Sequence, residues 1–125
     1  MLGTYQTVQA STADPKQLLL MLLTGGTSFL DQALRAHERG DRGRFSERVS
    51  RAHAVIVELA ATLDHTRGGE LSRSLARLYD FMLRQLTLAP STGDVEAVGT
   101  VRRLLETIRE GFDGAVKESL RAARA

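Results

Sequence analysis

The stretch that decides the fold runs from Gly68 to Leu86 and reads GGELSRSLARLYDFMLRQL. It opens with a glycine pair, which is typical of a turn. The apolar residues that follow recur every three or four positions, as they do on one face of an α-helix. We expect the glycines and Glu70 to form the turn, and we expect these apolar residues to form part of a helical core: Leu71, Leu75, Leu78, Met82 and Leu86.

Cap and turn residues divide the rest of the chain into three further helices. Asp14-Pro15 indicates a helix start, because Asp caps the first free amides and Pro at the first position loses no needed donor. Gly40-Asp41 supplies a left-handed stop and a new cap. A break after Ala89 leaves Asp94 to cap the last helix. The predicted helices span about 15–39, 42–64, 70–88 and 95–122, and no segment has the alternation of a β-strand.

The spacing of the apolar residues also predicts how the helices pack. Helices 2 and 4 each carry an apolar residue every three or four positions, a seam that faces partner helices at a shallow angle. Short turns make consecutive helices antiparallel neighbours. We therefore predict an all-α, antiparallel up-down-up-down four-helix bundle over residues 14–125, preceded by a short flexible or docking leader over residues 1–13.

Length and composition indicate a single small domain. The chain has 125 residues, of which 42% are hydrophobic, and it has no cysteine to form a disulfide or a thiolate nucleophile. The longest purely apolar run, Leu18 to Leu23, is far shorter than the roughly 20 residues of a membrane span. The leader has neither the positive charge nor the apolar block of a secretory signal. We expect a cytoplasmic protein without membrane insertion.

The pattern of polar residues does not favour catalysis. The histidines, His37, His53 and His65, fall on different predicted elements, and none belongs to a Glu-x-x-His pair. There is no lysine-bearing phosphate loop and no Gly-x-Ser-x-Gly elbow. We predict no catalytic residues, metal, cofactor or small-molecule substrate, and a domain of this kind is more often an interaction module.

The helices are more apolar than a four-helix core requires. Val55 and Val57 flank Ile56, and further apolar residues flank the stripes of helices 3 and 4. Such residues either widen the buried stripe or form an exposed patch that another chain covers. In the leader, an aromatic and an aliphatic residue three apart either dock on an apolar groove or belong to a frayed terminus. The candidate partner-binding residues are Tyr5, Val8, Val55, Val57, Tyr79, Phe81, Leu83, Leu88 and Leu104.

The basic residues are mostly arginine. All but Lys16 and Lys117 of the 17 basic side chains are arginine, although the formal net charge is only +2. The spacing of Arg44, Arg48 and Arg51 puts them on one helical face, which could meet nucleic acid, an anionic membrane surface or an acidic partner. Acidic residues interrupt the surrounding segments, so a solvated face is favoured and no nucleic-acid partner is predicted.

The motifs placed above resemble those of the FliS family of flagellar export chaperones. The similarity begins at Tyr5, continues through residues 13–18, Gly25 and Gly40-Asp41, and is densest over residues 63–89. In that last segment the family has a Gly-Gly-Glu turn leading into a Leu-Tyr-Asp-Tyr-Met helix, which is similar to the sequence here. A tryptophan common in the last family helix is replaced by Phe112.

The resemblance implies a cytosolic four-helix bundle that binds the disordered C-terminal segment of newly made flagellin. It implies that the chain prevents premature polymerisation and supports delivery to the flagellar type III export apparatus without ATP, with export-gate components as further partners. It also implies that the leader lies over part of the client surface, which makes Tyr5 and Val8 candidate plugs. Two alternatives stay open: a self-associating structural bundle, and an arginine-led nucleic-acid binder whose affinity falls with salt.

Overall fold

The protein is built from four α-helices. The computed structural model describes residues 14–63 and 68–124, apart from the side chains at positions 116, 119, 120, 123 and 124. Within these residues there is no strand, so the predicted all-α fold is confirmed. The predicted leader lies outside the described residues. The helices are α1 (Pro15–Glu38), α2 (Arg42–Ala61), α3 (Gly69–Thr92) and α4 (Val95–Arg124).

Capping side chains define the starts of α1 and α2. The Asp14 carboxylate accepts a hydrogen bond from the backbone N–H of Lys16 at 3.0 Å, and the Asp41 carboxylate accepts one from the N–H of Arg44 at 3.0 Å. Gly40 has a φ of 74°, which favours glycine because other side chains are strained there. The predicted turn between α1 and α2 is therefore confirmed.

The four helices form a ring in which each packs against two neighbours. α1 contacts α2 and α4, and α3 also contacts α2 and α4; the α1–α2 interface is the most extensive and the α3–α4 interface the least. All four helices contribute to one apolar core. Its largest fully buried side chains include Leu23, Leu30, Ile56, Leu59, Tyr79, Met82, Leu86, Val98, Val101 and Leu105.

A glycine allows α1, α2 and α4 to approach closely. A Cβ atom added to Gly26 would lie 3.1 Å from Cδ1 of Leu105 on α4 and 3.4 Å from Cγ1 of Val55 on α2. The adjacent Gly25 would meet nothing within 4 Å. Position 26 is therefore a packing position, whereas position 25 faces open space.

The end of α3 differs from the prediction. A helix end at residue 88 was expected because of Pro90, but α3 continues to Thr92. Pro90 removes only the one donor that would bond the carbonyl of Leu86, and the helical turn continues beyond it, with Thr92 Oγ1 adding a bond to the carbonyl of Leu88 at 3.0 Å. From α2, Ser46 Oγ donates to the carbonyl of Pro90 at 3.2 Å. The C-terminal end of α2 differs from the prediction as well, because this helix stops at Ala61 instead of residue 64.

One residue assigned to the core is exposed. Leu75, Met82 and Leu86 are buried as predicted, but Leu71 is 61% exposed, so its assignment to the core was wrong. Leu71 lies in the first turn of α3, at one end of the bundle, where it borders a pocket instead of a neighbouring helix. This pocket contributes to the candidate site.

Candidate functional site

A pocket opens at the end of the bundle where α1 and α3 begin and α2 ends. Its volume is about 430 Å³, and we call it the end pocket. All four helices or their flanking residues contribute to its wall, because antiparallel packing brings two helix starts and two helix ends together at one side of the molecule. The lining residues are Pro15, Lys16, Leu18, Leu19, Thr62, Leu63, Leu71, Ser72, Leu75, Tyr79 and Phe112.

The end pocket is mainly apolar and is open to solvent. Leu63 and Phe112 are partly buried and pack against the core, while Leu71 is largely exposed. An open apolar pocket of this kind can receive the apolar side chains of a partner segment. Lys16 is exposed and supplies the only cationic side chain among the described lining residues. The pocket therefore combines apolar walls with one positive charge.

Tyr79 lies on the inner side of the end pocket. Its side chain is 1% exposed, so the prediction that it contributes to an open surface was wrong. The reason is its position: it follows Leu75 by four residues and precedes Met82 by three, which puts it on the buried face of α3. Its hydroxyl group is buried and has no hydrogen-bond partner among the described residues, and burial raises the pKa of this hydroxyl.

The other candidate residues on α3 do not share one surface. Leu83 and Thr87 are four residues apart and share the side of α3 that faces α2, since Thr87 lines a small cavity with His53 of α2. Phe81 and Leu88, seven residues apart, lie on a different side of α3. Phe81 is 36% and Leu88 65% exposed, and their contact with a partner stays a prediction.

Two further candidates are partly buried. Val55 and Leu104 pack against the core, as Leu83 does, so the wide-stripe interpretation accounts for their apolar character. Val57, in contrast, is 47% exposed. Tyr5 and Val8 lie outside the described residues.

Part of the predicted basic stripe is engaged in contacts within the bundle. Glu47 forms ion pairs with both Arg48 and Arg51, and these arginines lower the pKa of its carboxylate. Arg48 also donates a hydrogen bond to Gln32 of α1 at 3.1 Å, and its guanidinium lies 5.6 Å from the ring centre of Phe29. Arg48 therefore joins α2 to α1.

The described part of the chain shows no alternative site of a familiar kind. Over residues 14–63 and 68–124, no group of three acidic or histidine side chains is placed to hold a metal ion. None of the described helices is long and apolar enough to cross a membrane.

A model of the family described as Flagellar protein FliS matches residues 1–119. This chain belongs to the FliS family. Among FliS relatives, the flagellar secretion chaperone FliSB of Pseudomonas aeruginosa is 36% identical over 106 residues, covering 85% of this chain and 84% of the relative. Flagellar secretion chaperone FliS of Salmonella typhimurium is 38% identical over 102 residues, covering 81% and 76%. The Bacillus subtilis protein of the same name is 34% identical over 113 residues, covering 90% and 84%.

The motif that carries the FliS resemblance borders the end pocket. The turn at Gly68-Gly69 leads directly into Leu71 at the pocket mouth, and Tyr79 lies deeper. The apolar spacing puts Leu63, Leu71 and Phe112 on the packing seams of helices 2, 3 and 4, so it did not indicate that they line a pocket. For Leu63 and Leu71 the available signal was their position near helix ends, where a seam residue no longer has a helix on every side; Phe112, in the middle of α4, gave no such signal.

Proposed function

We propose that this chain is a flagellin-specific export chaperone. It binds the disordered C-terminal segment of flagellin in the cytosol, prevents premature polymerisation and supports delivery to the flagellar type III export apparatus. Membership of the FliS family supports this proposal, since its curated relatives are named flagellar secretion chaperones. The role requires binding energy and release, and it requires no catalytic residue.

The observation that carries the proposal is the end pocket. A stable four-helix domain normally covers its apolar side chains, yet here leucines and an aromatic ring line a pocket that is open to solvent. A disordered segment that orders on binding must gain enough from apolar contacts to offset about 2 to 5 kcal/mol of ordering cost. The end pocket, together with the exposed Phe81, Leu88 and Val57, offers such contacts.

The test is a calorimetric titration of the full chain with the C-terminal segment of the flagellin encoded in the same genome. We expect Leu71→Asp to weaken binding strongly, because it puts a charge at the pocket mouth. Met21→Asp is the matched control, since Met21 is 68% exposed on α1 and does not line the pocket. Absence of binding to the parent chain would refute the proposed function, and equal loss in both variants would refute the pocket as the site.

The exposed apolar side chains outside the pocket are tested separately. We propose that Phe81 and Val57 also contact the client, which predicts weaker binding by Phe81→Asp and Val57→Asp without a loss of helix content. If both variants bind like the parent while Leu71→Asp does not, the client contacts the end pocket and these side chains are ordinary surface residues.

The leader is proposed to compete with the client. In this proposal Tyr5 and Val8 cover part of the client surface and are displaced on binding. Deleting residues 1–10 should then change client affinity without unfolding the bundle, as followed by calorimetry and circular dichroism. Unchanged affinity would remove the competition and leave the chaperone proposal standing.

A further inference from the structure

The hydroxyl group of Tyr79 is a buried polar atom on the inner side of a mainly apolar pocket, and it has no hydrogen-bond partner among the described residues. Tyr79 is 1% exposed, and no described residue gives its hydroxyl a hydrogen bond. Buried hydroxyl groups are normally paired, because an unpaired one has lost its bonds to water without replacement. A tyrosine at this position therefore lowers the stability of the free protein by the desolvation cost of its hydroxyl group, which phenylalanine would avoid.

Among the described residues that line the pocket, none pairs with this hydroxyl. Leu75, Leu18 and Phe112 line the same pocket with apolar groups. The hydroxyl of Thr62, also on the pocket wall, donates to the carbonyl of Leu59 at 2.7 Å. Tyr79 thus supplies a donor at the inner side of a pocket whose mouth is open.

We propose that Tyr79 is a specificity-determining residue of the end pocket. Its hydroxyl donates a hydrogen bond to an oxygen atom of the client segment, a main-chain carbonyl or a side-chain carboxamide, while a neighbouring apolar side chain of the client fills the pocket. The inference rests on the proposed function for the identity of the client. It adds that the pocket selects a segment with an accepting oxygen beside an apolar side chain, instead of any apolar segment.

The Tyr79 hydroxyl can select between client segments because a segment without an accepting oxygen leaves it unpaired, which costs binding free energy. A client with an oxygen at the right place pairs the hydroxyl, whereas a purely apolar segment leaves it buried and unpaired. A site built around one hydrogen bond therefore discriminates more sharply than apolar surface alone, in which one methylene changes affinity only modestly. The apolar walls give affinity and Tyr79 gives the choice of segment.

The test compares Tyr79→Phe with the parent full chain in titrations with the flagellin C-terminal segment. We expect Tyr79→Phe to raise the dissociation constant about 5- to 10-fold, the loss of one hydrogen bond. Without client, its resistance to urea should be equal to or higher than that of the parent. Thr87→Val is the control, because it removes a hydroxyl from the same helix outside the pocket, where Thr87 Oγ1 donates to the carbonyl of Leu83.

The outcomes separate this inference from the proposed function. Weaker binding by Tyr79→Phe with retained stability supports the inference, provided that Thr87→Val binds like the parent. Equal binding by Tyr79→Phe and the parent overturns the inference and leaves the chaperone function in place. Lower stability with unchanged binding also overturns it, since the hydroxyl then serves the free protein, for example through an ordered water. If the parent chain binds no flagellin segment, the proposed function and the dependent inference both fall.

Discussion

Gly25 and Gly26 are neighbours in the chain with opposite surroundings. Gly26 is buried at the point where α1 meets Leu105 of α4 and Val55 of α2, and Gly25 faces space on the outside of α1. Glycine within a helix costs about 0.5 to 1 kcal/mol relative to alanine. That cost has a packing reason at position 26 and none in the described structure at position 25.

The glycine pair gives a prediction of opposite sign at adjacent positions. Gly26→Val should lower the free energy of unfolding by about 1 to 3 kcal/mol through overpacking against Leu105. Gly25→Ala should raise it by about 0.5 to 1 kcal/mol. Urea unfolding followed by circular dichroism measures both. A stable Gly26→Val variant would show that α1 and α4 can separate without loss.

Tyr79 gives a prediction about alkaline pH. Burial raises the pKa of its hydroxyl, so the folded chain holds this proton more tightly than the unfolded chain, whose tyrosines ionise near pH 10. The resulting stability is complete below about pH 10 and is lost as pH rises through the folded value. Urea unfolding between about pH 8 and about pH 10.5 should show a smaller loss for Tyr79→Phe than for the parent. Tyr5→Phe, which keeps Tyr79, serves as the comparison; equal losses in all three chains would contradict the prediction.

At the scale of the helices, capping groups mark the junction of α1 with α2, and hydroxyl groups bond the carbonyls in the last turn of α3. Asp41 caps α2 from the turn that also ends α1, so one residue serves the junction of two helices. At the far end of α3, the helix continues past Pro90, with a bond from Thr92 to the carbonyl of Leu88 and one from Ser46 to the carbonyl of Pro90. The first bond is local in the chain, whereas the second comes from another helix.

The cap at Asp41 is open to a direct test. Asp41→Ala should lower the free energy of unfolding by about 1 kcal/mol, because the N–H of Arg44 loses its acceptor. Asp41→Asn keeps an accepting oxygen and should cost much less. Thermal or urea unfolding distinguishes the two. Equal losses would mean that the charge of Asp41 matters and its hydrogen bond does not.

These elements also show what could be predicted from sequence and what could not. The starts at Pro15 and Arg42 follow from caps that act within a few residues, and the seams follow from spacing, so the helices and their ring could be predicted. Where α3 continues past Pro90, its backbone accepts a bond from Ser46, 44 residues away, which spacing along the helix does not reveal. The end pocket depends on how far each helix extends beyond its neighbours, which no local pattern encodes. For this reason Leu71 was assigned to the core although it is exposed, and Tyr79 was assigned to the surface although it is buried.

At the scale of the whole molecule, binding and stability are linked. A client that binds only the folded chain stabilises it by an amount that grows with the logarithm of the client concentration and reaches about 2.7 kcal/mol at 100 times the dissociation constant. We expect the flagellin segment to raise the melting temperature of the parent chain in this way. Leu71→Asp should show a much smaller rise at the same concentration, and Met21→Asp a full one. A full rise for Leu71→Asp would contradict binding at the end pocket.

The exposed apolar side chains also bear on the assembly state. Under the chaperone proposal Val57, Phe81 and Leu88 meet the client, so the free chain should sediment as a monomer at micromolar concentration. A self-associating bundle would instead sediment as a dimer, and Leu88→Asp, which puts a charge on an exposed side of α3, should then dissociate it. Sedimentation velocity of both chains decides between the two.

The unequal interfaces of the ring have a consequence for the order of folding. α1 and α2 share the most extensive interface, joined by a tight capped turn, whereas α3 and α4 share the least extensive one. Contacts between sequence neighbours form with little loss of chain entropy. We expect the α1–α2 hairpin to be formed already in the folding transition state. During synthesis it can form as soon as both helices have left the ribosome. We expect α4 to pack last, when it closes the ring against α1. Mutations at Val49 should then slow folding, and mutations at Ile108 should mainly speed unfolding.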